Sequence, residues 1–290
     1  MAKNPYQRPY YQRPYIDILL PYKEVFTPSN AGAVSTVVSD LAYHTTLEYE
    51  FHIYGRQITA PSFPELCYHA LKPKWPLIYG HNLGLAHSYI TDLQRRERQP
   101  LLIEVHGRCQ VASTIAKITK TAKVALFLHN DPRQMTGSKT LAERLWLARN
   151  LAGIFANSNY IKNCFLDGFS NTEISQTPIF VTPLGANRNI QNKPSKEKTI
   201  IIASRIVPEK GILQAAIALR DILPDFPEWR VKIIGAKHFR DGTISDYEKS
   251  VKETLAPLQG QAEMAGFLPL AQINKELEKA AIAIVPSVWQ

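Results

Sequence analysis

Short apolar runs alternate with longer segments whose apolar positions recur at helical spacing, from residue 16 to the end of the chain. Runs of this kind suit strands covered on both faces, so the alternation predicts parallel strands joined by crossover helices. Residues 16–20 read as the first strand and, beyond a loop over 21–31, residues 33–43 read as a helix with Gly32 at the junction. Residues 77–79, 101–105 and 124–128 read as three further strands, running into Gly80-His81-Asn82, His106-Gly107 and His129-Asn130-Asp131-Pro132. Each brings an imidazole to the carboxyl edge of the sheet, where open α/β sheets bind ligands, so His81, His106 and His129 are expected to line one crevice. A helix over 139–151, a strand over 154–156, a helix from Asn159 capped by Ser158 and a strand over 179–182 complete a first domain spanning 16–186.

Residues 187–198 are polar, charged and nearly free of apolar side chains, which marks a linker. The alternation restarts over 199–290, with strands at 199–203, 230–234, 262–265 and 281–285 and helices at 212–223, 245–255 and 270–280. The expected fold class is therefore α/β, two Rossmann-like parallel-sheet domains with the second incomplete. Ahead of them the pentad Tyr-Gln-Arg-Pro-Tyr occurs at Tyr6 and again at Tyr11, and its prolines forbid a helix. Residues 1–15 read as a flexible basic tail, whose tyrosines and arginines suit peripheral contact with an anionic membrane.

One junction carries the chemistry. The buried run Ile200-Ile201-Ile202-Ala203 leads through Ser204-Arg205-Ile206-Val207-Pro208-Glu209-Lys210 to Gly211, which opens the helical segment Ile212, Ala215, Ala216, Leu219. Arg205 offers a fixed fork of donors, Lys210 a mobile point charge, and the helix start free N–H groups, a combination that suits a phosphate.

A formal net charge of +9 and a pI near 9.4 favour anionic partners. The cations are dispersed rather than gathered on one helix, which argues against nucleic acid. Cys67, Cys109 and Cys164 stand far apart with no C-x-x-C spacing, so neither a disulfide framework nor a zinc ribbon is indicated. Three imidazoles at one edge suggest a zinc site in principle, but no motif spacing supports one and no metal is expected. The absence of G-x-G-x-x-G after the first strand counts against a nicotinamide dehydrogenase. No apolar run reaches the length of a spanning helix and the N-terminus has no signal-peptide core, so a cytoplasmic protein is expected.

The segment 204–211 resembles the donor-phosphate motif of retaining glycosyltransferases of the GT-B fold, the family called glycosyl transferases group 1 or family four. Gly266-Phe267-Leu268-Pro269 and Ile284-Val285-Pro286-Ser287-Val288-Trp289 are similar to the family's next two blocks, in the family's order. The resemblance implies that Arg205 and Lys210 bind the diphosphate of a sugar nucleotide and that backbone near Gly266, Phe267 and Leu268 meets the base. It also implies that His106 contacts the donor sugar across the cleft, with the His129 loop facing the same cleft, and that Gly32 lets backbone approach donor or acceptor. No metal or cofactor is required; the nucleotide-diphosphate sugar is a substrate. Transfer would retain configuration, with the acceptor a lipid-linked or cell-envelope glycan at the inner face of the membrane. The resemblance stops at Gln290, ahead of the turn and the pair of glutamates that the family carries next, so a truncated transferase is expected. The rival reading is a non-catalytic nucleotide-binding or scaffold fragment of such an enzyme.

Overall fold

Alternation along the first strand sorts its side chains onto two sheet faces, and the two faces are covered by different elements. In the computed structural model, which describes residues 13–119, 122–185, 195–237 and 243–288, the chain divides into two compact units, Met1–Asn187 and Arg188–Gln290. The first unit runs β1 (Tyr15–Leu19), α1 (Ala33–His44), β2 (Glu50–Arg56), β3 (Cys67–Leu71), α2 (Pro76–Leu93), β4 (Leu102–His106), α3 (Cys109–Thr119), β5 (Val124–Leu128), α4 (Leu141–Asn150), β6 (Gly153–Ala156), α5 (Asn159–Leu166), α6 (Asn171–Gln176) and β7 (Ile179–Val181). Its seven strands pair in parallel in the order β3-β2-β1-β4-β5-β6-β7.

Handedness then dictates where the helices lie. The step from β1 to β2 moves one way along the sheet and the steps from β3 through β7 move the other way, so right-handed crossovers put α1 on one face and the remaining helices on the other. The cores follow. Ile16, Ile18, Phe26, Val38 and Ile53 form a small cluster under α1, while Leu19, Ile103, Val105, Leu126 and Ile154 join buried residues of α2 to α5 in the larger one. Asp17, fully buried on the larger side, accepts from the Tyr89 hydroxyl at 2.5 Å and from Arg96 Nη1 at 2.6 Å, which ties α2 to the central strand. Beyond α1, the smaller-core face of β4 to β7 carries Glu104, His106, Phe127, Phe155 and Phe180. The rings of His106, Phe127, Phe155 and Phe180 stack in sequence across it, with centroids 4.6, 4.6 and 5.5 Å apart.

Helix ends follow local chemistry. Thr140 caps α4 with Glu143 in a capping box and Ser158 caps α5 through the Ile161 N–H. One expectation fails. Residues 77–79 form no strand: they belong to the first turn of α2, where Pro76 supplies no ladder donor and suits a first helical position. Leu77 and Ile78 are exposed there, and His81 consequently sits on a helix rather than at a strand end. Residues 1–12 of the tail lie outside the described residues; Tyr15, the last residue of the predicted tail, is the buried first residue of β1. The strands β2 and β3, helix α3 and the part of α2 beyond residue 82 occupy segments for which the pattern predicts nothing.

The second unit runs β8 (Glu197–Ala203), α7 (Ile212–Ile222), β9 (Arg230–Ile234), α8 (Asp246–Leu255), β10 (Ala262–Gly266), α9 (Leu270–Lys279) and β11 (Ala280–Ala283). Its four parallel strands lie in the order β10-β9-β8-β11. Here α7 and α8 cover the face of Ile200, Ile202, Val231 and Ile233. The return crossover α9 covers the opposite face, where Ile201, Ile234 and Ala280 meet Leu268, Ile273 and Leu277. Most of the segment read as a linker, residues 187–194, lies outside the described residues, and so does Trp289; Glu197 and Lys198 already belong to β8.

Candidate functional site

In the second sheet β8 has β9 on one side and β11 on the other, so the chain reverses direction across the sheet at β8. A crevice opens outside the strand ends at such a reversal, which is where ligands bind in open α/β sheets. The turn 204–211 fills that position. Ser204 N–H donates to the Ile234 carbonyl at 2.9 Å, buried Ile206 and Val207 anchor the turn, and a short 3₁₀ segment Pro208–Lys210 delivers the chain to α7.

Two glycines allow the close packing. Gly211 has φ +63, and a Cβ there would stand 2.0 Å from the Pro286 carbonyl oxygen; Gly235 has φ +136, with a Cβ position 1.9 Å from the Ser204 carbonyl oxygen. Gly235 N–H donates to the Gly266 carbonyl at 2.8 Å and Val288 N–H to the Glu209 carbonyl at 3.2 Å. The ends of all four strands are thereby drawn to one edge, and Arg205, Lys210 and Gly266 share it. Arg205 is 54% exposed and meets Glu209 at 3.5 Å, an i,i+4 pair in water that leaves most of the guanidinium fork open. Lys210 is half-buried. The start of α7 is less free than the sequence suggests, because Leu213 N–H donates to the Tyr247 hydroxyl at 3.0 Å. Gly266 has φ +68 with open space beside it and Phe267 is exposed. Leu268 instead packs in the small core.

The first unit reverses direction between its adjacent strands β1 and β4, and His106 ends β4 there. Its ring is only 1% exposed. His106 Nδ1 and His129 Nε2 lie 3.0 Å apart, so one donates and the other accepts. Burial, and secondarily His106, pushes His129 down to about 4, which keeps it neutral at ordinary pH. His106 Nε2 is buried without a hydrogen-bond partner, 3.8 Å from Glu104 Oε2. Both side chains line a cavity of about 480 Å³ between α1 and the stacked phenylalanines. Glu104 escaped the sequence reading, although its i,i+2 spacing from His106 in a strand puts both on one face.

Of the three imidazoles expected in one crevice, His106 and His129 are in direct contact, while His81 packs against Tyr22 with tilted rings and centroids 4.3 Å apart. Among the described residues no group of three or more His, Cys, Asp or Glu is placed to hold a metal ion. Gly32 precedes α1, but the Glu24 carboxylate fills the space beside it and accepts from Ser35 N–H at 2.9 Å, so the helix start already holds an anion of the chain's own.

Two parallel α/β sheets, one of seven strands and one of four among the described residues, match those of solved glycosyltransferases, and the fold class is GT-B. Residues 185–290 match the family described as glycosyl transferases group 1. The chain is similar to "Putative glycosyltransferase YtcC" of Bacillus subtilis, 25% identical over 205 residues that make up 65% of this chain and 50% of that protein. It thus spans half the length of this curated relative. Among solved structures, Alr3699/HepE of Anabaena in complex with UDP and glucose has 16% identity and a TM-score of 0.67, covering 95% of this chain and 74% of that one. The lipopolysaccharide outer core galactosyltransferase WaaB has 14% identity and a TM-score of 0.61, covering 95% and 75%. At these identities the structures share the fold.

Proposed function

We propose that the chain transfers a sugar from a nucleotide diphosphate, with the second unit holding the donor through Arg205 and Lys210. The observation that carries this reading is the position of both cations on one packed turn at the reversal of a parallel sheet. Breaking the glycosidic bond leaves charge on the diphosphate, and preorganised cations stabilise that charge more in the transition state than in the ground state. Gly266 and Phe267, at the same edge, are suited to receive the base by backbone contact and ring stacking. UDP and glucose in the HepE structure support a nucleotide sugar as donor.

On the acceptor side, the reading gives His106 and Glu104 to the sugar and the acceptor hydroxyl. The transfer retains configuration by same-face attack, the departing diphosphate taking the hydroxyl proton. No metal or cofactor takes part. The acceptor is a lipid-linked or cell-envelope glycan, a reading supported by the basic charge and by the lipopolysaccharide enzyme among the fold's neighbours. Three free cysteines, two of them buried, are compatible with a reducing cytoplasm.

Titration calorimetry with UDP tests the donor site. Arg205→Ala and Lys210→Ala are each expected to weaken UDP about 100-fold, about 3 kcal/mol, without changing the circular dichroism. UDP affinity unchanged in both variants would overturn the assignment. UDP binding with no release of sugar from UDP-glucose or any other sugar nucleotide would favour a non-catalytic nucleotide-binding role.

A further inference from the structure

The exposed turn that the sequence presents as a strand has no part in the donor site. Trp75 adopts φ +44 and Gly80 φ +71, and between these two left-handed residues Pro76, Leu77, Ile78 and Tyr79 make one projecting helical turn. A tryptophan in the left-handed region is strained, so the surrounding contacts must hold it there. They do. Lys74 N–H donates to the Gly84 carbonyl at 3.0 Å, Ser88 Oγ to the Lys72 carbonyl at 2.5 Å and Lys74 Nζ to Thr91 Oγ1 at 2.6 Å. Gly84 leaves no room for a Cβ, which would meet the Lys74 carbonyl oxygen at 2.7 Å.

On this fixed base the tip is bare. Leu77 is 101% exposed and Ile78 74%, with Trp75 and Tyr79 also exposed beside them. Scattered surface apolar residues are ordinary, but four adjacent large ones on a pinned projection mark an interaction site. Charge selects the partner. Residues 66–91 contain no aspartate or glutamate, while Lys72 at the base is exposed. Across the same sheet edge Lys23 is exposed as well, and Arg56 lies over the Tyr22 ring. Aliphatic side chains at the tip, a tryptophan and a tyrosine at their margin and lysines behind them match the depth profile of a bilayer: acyl chains, interface, anionic headgroups.

We propose that the turn Trp75–Gly80 is a membrane anchor that inserts Leu77 and Ile78 into the surface of an anionic bilayer. It places the carboxyl edge of the first sheet, with His106, toward the lipid surface. The proposal does not depend on the transferase reading, because its test contains no sugar nucleotide.

Flotation of the full chain with phosphatidylglycerol–phosphatidylcholine vesicles is expected to show binding that pure phosphatidylcholine does not support. Leu77→Ser with Ile78→Ser should reduce it at least tenfold, and Lys23→Gln with Lys72→Gln severalfold, with the thermal melt and circular dichroism unchanged. Vesicles should shift the tryptophan emission to the blue in the parent and not in Trp75→Phe. No binding by the parent, or equal binding by the Leu77/Ile78 variant, overturns the proposal; the latter result assigns binding to another surface. So does a parent that dimerises by light scattering through this turn and ignores vesicles, which would make the turn a contact between copies.

Discussion

At the scale of single residues, the informative pair is His106 and His129. Two imidazoles 3.0 Å apart share one hydrogen bond, and a proton on His129 would face burial and a neighbouring ring together. Its folded pKa is depressed to about 4, below the unfolded value near 6.5. The neutral form therefore contributes stability fully above pH 6.5. As pH falls from there toward 4 the unfolded chain takes up a proton that the folded chain refuses, and stability declines by up to about 3 kcal/mol. Urea midpoints between pH 7 and 4 should fall less steeply for His129→Asn than for the parent. Parallel curves would mean that His129 is not held neutral by the fold. His106→Ala tests the other half of the pair: turnover should fall while UDP affinity stays, since Arg205 and Lys210 belong to the other unit. Turnover within about twofold of the parent, under 0.5 kcal/mol, would make His106 a packing residue.

At the scale of elements, the turn 204–211 depends on backbone that only glycine supplies. Gly211→Ala puts a Cβ against the Pro286 carbonyl in a left-handed residue, and should lower the stability of the second unit by about 2 kcal/mol or more. Gly260 makes the comparison, with φ +77 but nothing within 4 Å, and Gly260→Ala should cost only about 1 kcal/mol. Equal denaturant midpoints for the two variants would show that the Gly211–Pro286 approach is not a fixed feature. The same contrast explains what could be read from sequence. The strands β1, β4, β5, β6, β8 and β9, and the edge strands β7, β10 and β11 as well, were legible because each carries a short run of mainly apolar residues. The edge strand β3, Cys67–Leu71, exposes Cys67 and Ala70 and carries His69, so it shows no apolar run. Its neighbour β2 mixes Glu50, His52 and Arg56 with its apolar residues. Leu77, Ile78 and Tyr79 misled for the opposite reason: they look like a buried strand and are exposed. At the site, Arg205 and Lys210 stood out as cations between a strand and a helix. Tyr247 did not, because its hydroxyl reaches Leu213 from 34 positions away.

At the scale of the whole molecule, each unit has its own sheet and its own apolar cores, so each is expected to unfold as a unit of its own. Calorimetry of the chain should then resolve two transitions, assigned by Leu126→Ala, which opens a cavity in the first core, and Ile202→Ala, which opens one in the second. A ligand stabilises only the species that binds it, by about 2.7 kcal/mol at one hundred times its dissociation constant. If Arg205 and Lys210 hold the diphosphate, UDP must raise the transition sensitive to Ile202→Ala and leave the one sensitive to Leu126→Ala in place. Arg205→Ala with Lys210→Ala must abolish the rise without lowering the unliganded midpoint, since Arg205 is exposed and its pairing with Glu209 is weak in water. A UDP-induced rise in the first transition alone would move the nucleotide to the unit of His106. That result would leave the cations of the turn 204–211 as solvated side chains on a well-packed strand-to-helix junction.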